Sequence, residues 1–285
     1  NKNIICTPAQ LAQITNYPND KYELGKDIDL NDSFISIAAP FTGEFDGKEF
    51  TITNNNKAIF DLIELSVNDD RNIENLKITD FHIYESNPAT QSFGILANKI
   101  SSTGSGNQLE IRNIDVSQST VTVSGGVNKH IGGLIGEIDF IATAPVAGEY
   151  LSIRDNRINV DLDRNLSGYI GGIVGKGVGS NIADTGVNFE FNTVGSSADI
   201  MIFTGGVSTN AQGGIAGYAD NLEIRNGNTI HAKFTGDEKI GGFAGEIRDS
   251  RIINSFSDIE VVPLPPTSYV GGAVGNVTND KSIII

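Results

Sequence analysis

The sequence predicts an all-β solenoid of about seven rungs, stacked parallel strands behind a short N-terminal capping helix. Three observations predict it. A glycine phrase recurs five times, as Ile131-Gly132-Gly133-Leu134-Ile135-Gly136, Ile170-Gly171-Gly172-Ile173-Val174-Gly175, Gln212-Gly213-Gly214-Ile215-Ala216-Gly217, Ile240-Gly241-Gly242-Phe243-Ala244-Gly245 and Val270-Gly271-Gly272-Ala273-Val274-Gly275. Its first glycines are 39, 42, 28 and 30 residues apart, the scale of one supersecondary unit repeated along a stack. A second element recurs between the phrases, at Ile73-Glu74-Asn75, Ile111-Arg112-Asn113, Ile224-Arg225-Asn226 and Ile252-Ile253-Asn254. The composition agrees: 33 glycines, only 7% aromatics and no tryptophan suit many short strands with tight corners.

In chain order, Thr7-Pro8-Ala9-Gln10 supplies a capping residue, proline at the first helical position and Gln at the capping-box site; Leu11 and Ile14 then share a face. A helix of about two turns is expected there, its apolar face laid over the first rung. Tyr22 to Leu30 follows, then Phe45-Asp46-Gly47 between alternating arms, which reads as strand, turn, strand. Residues 1–57 are thus a cap with lead-in strands and 58–285 the glycine-rich repeats, continuous with the cap as one elongated domain. Two worn copies of the phrase extend the array: Gly94 to Ala97, placed 39 residues before the first full phrase, and Ala58 to Asp61, 36 before that.

Glycine tolerates positive φ and close backbone approach, so the three glycines of each phrase mark a corner repeated on every rung. A phosphate loop would need Lys-Ser or Lys-Thr after the last glycine, or a GxGxxG strand-to-helix turn, and neither is present. Asparagine accepts left-handed geometry and can bond neighbours above and below, so the second element is read as an asparagine ladder, with looser copies at Ile153 to Asn156 and Phe189 to Asn192. An alternating strand follows each copy, as in Ile230-His231-Ala232-Lys233-Phe234, so one rung is strand, corner, strand, loop, glycine corner, strand. Seven such rungs at ~4.8 Å stand roughly 35 Å tall.

Here the resemblance becomes specific. The lead-in Tyr22 to Leu30, the Phe45-Asp46-Gly47 turn and the five Gly-Gly phrases together resemble proteins carrying the GLUG motif, over nearly the whole chain. That family occurs in large bacterial surface and secreted proteins, including adhesins and the non-catalytic part of immunoglobulin A1 protease-type metallopeptidases. The resemblance implies a right-handed parallel β-helix, a secreted or cell-surface location and a non-enzymatic, adhesin-like role.

From the last phrase glycine to the next ladder Asn is nine residues in the short units, Gly217 to Asn226 and Gly245 to Asn254, but 16 to 20 in three earlier ones. The surplus, at 99–107, 139–150 and 177–187, falls at one corner. Insertions confined to one solenoid face often form its binding surface, so a ledge is expected there with Phe140, Ile141 and Val146 as its apolar residues.

Thirty-five acidic against 20 basic residues give a net charge of −15, a field that repels a phosphate backbone, so nucleic acid is excluded as a partner. No stretch approaches the ~20 apolar residues of a membrane helix. Three histidines, His82, His130 and His231, no HExxH and a single Cys6 leave no zinc-peptidase site; each histidine is expected in an exposed strand or loop. Asp27-x-Asp29-x-Asn31 opens like a calcium loop, but Asp32 replaces the required glycine and Ala38 the closing Glu. No cofactor, metal or catalytic set is assigned. Two function classes stay open: a surface solenoid that spaces or presents a binding face toward host protein or glycan, and a carbohydrate-active β-helix enzyme using carboxylates such as Asp161 and Asp163. Lys281 to Ile285 reads as an unfinished rung, an apolar edge expected to continue in a longer protein and to self-associate.

Overall fold

The structure, a computed structural model, describes residues 2–65, 71–86, 92–102, 108–126, 128–140, 150–164, 168–179, 186–206, 210–236, 239–264, 269–278 and 282–284. It is a parallel β-helix. Three sheets of 17, six and seven strands run along one stack, and each strand sits in parallel register on its counterpart one rung away. One rung shows the plan. Leu222–Arg225 and Thr229–Gly236 lie in the first sheet, Lys239–Gly241 in the second and Ala244–Arg248 in the third; Arg251–Ile253 then begins the next rung on top of Leu222–Arg225. The third sheet holds one strand per complete rung, from Phe60–Leu65 to Val274–Val277, which gives the seven rungs expected.

The interior follows from strict alternation. Along Thr229–Gly236 every second side chain, Ile230, Ala232 and Phe234, points inward and is buried. Register then stacks like on like: Ile73, Ile111, Ile153, Phe189, Ile224 and Ile252 form one column. The Phe203 and Phe234 rings sit 4.4 Å apart in another. Each fully buried Ile or Phe contributes about 1.5–3 kcal/mol, so seven near-identical layers hold the stack with little help from the exterior.

At the base, Asn3–Ile5 pairs with Lys21–Leu24, so a strand precedes the helix. The helix Pro8–Ala12 starts as expected, Thr7 Oγ1 accepting from the Gln10 amide at 3.2 Å. Gln10 Oε1 takes the Cys6 amide at 2.8 Å, one residue further back than a capping box places it. Leu11 and Ile14 are fully buried at the bottom of the core.

Two sequence readings are corrected. Asp46-Gly47 does not turn a hairpin: Glu44–Asp46 lies on Lys21–Leu24 while Thr51–Asn55 lies on Ile28–Asp29, and Arg71–Glu85 covers both. Lys48 and Glu49 both take positive φ and Asp46 Oδ1 accepts the Lys48 amide at 3.0 Å, bending the chain within its rung. The worn phrases also sit one residue from their expected register. Ala97 pairs with Ile135 and Phe60 with Ala97, so the positions equivalent to Gly136 are Asn98 and Asp61, joined by a 3.0 Å hydrogen bond. Polar side chains that bond each other replace glycine there.

The full phrases show why glycine recurs. None of their residues has positive φ; the constraint is space. A Cβ on the first glycine of a phrase would strike the carbonyl three residues on, as Gly132 does with Ile135. On the second glycine it would strike the backbone oxygen of the matching glycine one rung up, Gly172 against Gly214 and Gly214 against Gly242. On the third it would enter the backbone of the rung below, Gly175 against Ile131. Gly272, on the last phrase, has nothing within 4 Å.

Candidate functional site

Two corners and one outer face carry the polar chemistry. At the first corner, between the two strands of the first sheet, Asn75, Asn113, Asp155, Phe191, Asn226 and Asn254 occupy one equivalent position with φ between 50 and 57°. Asn and Asp tolerate this left-handed conformation because their side chains bond locally. The Asn113 amide reaches Asn75 Oδ1 at 3.0 Å.

The buried ladder lies inside that corner on other residues. Asn156, Asn192 and Asn228 are wholly buried. Nδ2 of Asn156 donates to Asn192 Oδ1 at 3.0 Å and Nδ2 of Asn192 to Asn228 Oδ1 at 3.0 Å; each also donates to a carbonyl of the rung below, Ile111 and Ile153. The same oxygens accept the amides of Asn156 and Asn192. Sequence reasoning placed the ladder on the frequent Ile-x-Asn residues; all four of these asparagines turn the corner instead, the looser copies supply Asn156 and Asn192, and Asn228 belongs to neither set.

Outside the strand before this corner, acids and arginines of neighbouring rungs pair up the stack. Arg112 bridges Glu74 at 2.5 Å and Glu110 at 3.3 Å; Arg154 bridges Glu110 and Asp155; Arg225 bridges Glu190 and Glu223 and donates to the Tyr150 hydroxyl at 3.2 Å. These half-exposed pairs are worth up to about 1 kcal/mol each; their main effect is to balance charge locally in an acidic chain.

Beyond the corner runs a second outward column in register, Lys77, Asp115, Arg157 and Thr193. Between it and the corner residues lies a groove of about 590 Å³ that reaches from Glu49 to Thr193 across five rungs, about 19 Å at the strand spacing. Phe191 projects into it, 53% exposed.

The expected ledge is placed only by its anchors. Ser101, Asp139 and Val178 stack in register, as do Gln108, Tyr150 and Gly186, so the three insertions spring from one corner. Phe140 is 1% exposed and belongs to the core, because it follows the strand Ile135–Asp139 in the inward phase. Ile141 and Val146 lie outside the described residues.

At the second corner the structure holds three buried bases the sequence did not single out as such. His130, expected to be exposed, is 7% exposed and stacks on Tyr169 with centroids 5.3 Å apart. Burial, against the pull of Glu137, brings its pKa down to about 4. Burial pushes the Glu137 carboxyl up, but hydrogen bonds from Lys176 at 3.0 Å and Ser92 at 3.0 Å, with the Lys176 charge, bring it below the usual range. Lys129 and Arg164 are wholly buried; burial lowers both, Arg164 to about 10, and Lys129 Nζ sits 5.3 Å over the Phe93 ring. Their residue types usually signal surface, so no sequence pattern marked them.

Asp161 and Asp163 share the outer face of Arg157–Arg164, and burial raises both carboxyls, Asp199 adding to the effect at Asp161. His82 is bonded to Thr120 and Asp80 on the surface. The calcium-like acids act as backbone caps: Asp27 Oδ1 accepts the Thr51 amide and Asp29 Oδ1 the Asn31 amide. Among the described residues no group of three or more His, Cys, Asp or Glu could hold a metal, and no helix is long and apolar enough to cross a membrane.

No family model and no curated protein matches the chain. A solved structure does: that of a putative immunoglobulin A1 protease from Bacteroides ovatus, 16% identical, with a TM-score of 0.61 over 100% of this chain and 84% of that one. At this identity the likeness concerns the fold alone.

Proposed function

We propose that the chain is a non-enzymatic segment of a larger bacterial secreted or cell-surface protein, adhesin-like and of the GLUG-motif type, in which the solenoid spaces and presents a binding face to host protein or glycan. The observation that carries this reading is the exterior. Side chains recur there in straight columns at rung spacing, held by a core and glycine corners that do not depend on them. Such a surface is rigid and already in its bound shape, which lowers the entropy cost of binding. The full-length likeness to the Bacteroides ovatus protein supports a common scaffold.

The test is binding of the purified chain to printed glycans, to immobilised host proteins and to cells, beside incubation with polyuronides and neutral glycans. Saturable binding without turnover supports presentation; turnover above background refutes it. The carbohydrate-active reading has one observation in its favour, the raised carboxyls of Asp161 and Asp163, since a general acid needs such a shift. Turnover lost in both Asp161→Asn and Asp163→Asn would establish that reading.

A further inference from the structure

We infer that the groove beside Phe191 is a subsite for a neutral oligosaccharide, with the Phe191 ring as the platform for one sugar. The inference rests on the presentation reading and names its ligand class.

Phe191 is out of place by every structural criterion. The five other rungs that turn this corner with positive φ carry Asn or Asp there, for which that conformation is inexpensive. A bulky aromatic there is a genuine conformational outlier, and such outliers gather where a protein binds something. Burial does not explain it, since 53% of the residue remains in water. The rung above makes room: Gly227, at φ +80°, is an extra residue in its corner, and a Cβ on it would come 3.3 Å from Phe191 Cδ1. The neighbouring corners have one residue fewer between corner residue and next strand: Asn254 to Phe256 and Asp155 to Arg157 against Asn226 to Thr229.

The polar groups around the ring fit hydroxyls. Arg112, Arg154 and Arg225 on the adjoining face all close ion pairs. Arg157, among the described residues, closes none, although Asp115 stands in register with it one rung below. Asp115 and Arg157 thus line the groove with a planar acceptor and a planar donor that can each address two vicinal hydroxyls, and Asp155 and Asn113, each with one polar atom engaged by Arg154 and Asn75, add further hydrogen-bonding atoms. An aromatic face opposite apolar C–H groups, flanked by planar hydrogen-bonding side chains, is the combination that a sugar ring requires. Charge sets the subclass. Lys77 and Arg157 are offset by Glu49, Asp115 and Asp155 along the groove, and the chain carries −15, so a polyuronide or sialylated chain is disfavoured and a neutral one is accepted. The groove's extent over five rungs fits a short oligosaccharide rather than a monosaccharide.

The experiment uses the whole chain on a panel of neutral gluco-, manno-, xylo- and galacto-oligosaccharides, with polyuronides and sialylated glycans as charged comparators. The best neutral binder is then titrated against Phe191→Asn and Arg157→Gln. Phe191→Asn restores the residue type of the other rungs, so its melting temperature should equal or exceed that of the parent while affinity falls about tenfold. Arg157→Gln removes no ion pair and should weaken binding with the fold intact. Absence of any neutral binder, preference for charged glycans, or affinity unchanged in both variants overturns the inference. Adhesion to host protein or cells that survives Phe191→Asn would do the same while leaving the presentation reading standing; turnover of a bound glycan would instead defeat that reading.

Discussion

Replacing Asn192 by leucine isolates what the buried ladder contributes. Asn192 makes four side-chain hydrogen bonds: Nδ2 to the Ile153 carbonyl at 2.8 Å and to Asn228 Oδ1 at 3.0 Å, and Oδ1 from the Asn156 amide at 3.3 Å and from Asn156 Nδ2 at 3.0 Å. Leucine has a similar branched shape, so packing is roughly preserved, but the two Asn156 donors lose their acceptor in a region without solvent. A buried polar group stripped of its partner costs about 1–3 kcal/mol, and leucine burial returns part of that, for a net loss of about 3 kcal/mol. Asn113→Ala at the exposed corner should cost less, about 1 kcal/mol, because only left-handed strain and one surface hydrogen bond are involved. Urea unfolding followed by circular dichroism gives the ordering, and hydrogen exchange at the Asn156 amide gives the location. A midpoint for Asn192→Leu within error of the parent, with Asn156 still protected, would refute the claim that the ladder holds the corner.

Other outcomes follow from the same geometry. Gly172→Ala would drive a Cβ into the Gly214 carbonyl and should destabilise by about 1–3 kcal/mol, whereas Gly272→Ala, with nothing within 4 Å, should be nearly neutral; equal melting temperatures would contradict the close-approach account. His130 has a folded pKa of about 4 against 6.5 when free. Below pH 6.5 the unfolded chain therefore takes up a proton that the folded one refuses, and stability, complete above that pH, falls toward pH 4 by about 3 kcal/mol. Glu137, with its lowered carboxyl, adds to the loss at still lower pH. His130→Phe should flatten the fall above pH 5 in urea midpoints measured across that range. The last rung exposes Val270, Val277 and Ile284 to about half their surface, so sedimentation should show association rising with concentration; a strictly monomeric chain would count against it.

The fold was legible because its cause is local and repeated. A glycine forced by a neighbouring carbonyl must appear wherever the corner appears, so five phrases announce five corners. Where a polar pair can replace the glycine, as at Asp61 and Asn98, the phrase fades and its register is easily misjudged by one residue. The ladder was misassigned for a related reason. Corner asparagines and ladder asparagines are adjacent or nearly so in the chain, and only the backbone conformation tells which one turns inward. Phe191 and Arg157 carry no motif: their meaning lies in what the same position holds on other rungs, which requires the register. Phe140 illustrates the converse, an apolar residue beside an insertion that alternation draws into the core.

The strands lie across the axis of the stack, and this governs how the molecule responds to a pull along it. Tension between the two ends loads the inter-rung hydrogen bonds a few at a time, so the rod should give way by peeling from an end rather than by rupturing at once. Each turn released frees the 28 to 42 residues between successive phrases, roughly 100 to 140 Å of extended chain. In a force-extension trace the short turns near the C-terminal end and the long ones in the middle would be told apart by step length alone. A shaft of this kind dissipates load in instalments, lengthening severalfold while the turns not yet reached keep their shape.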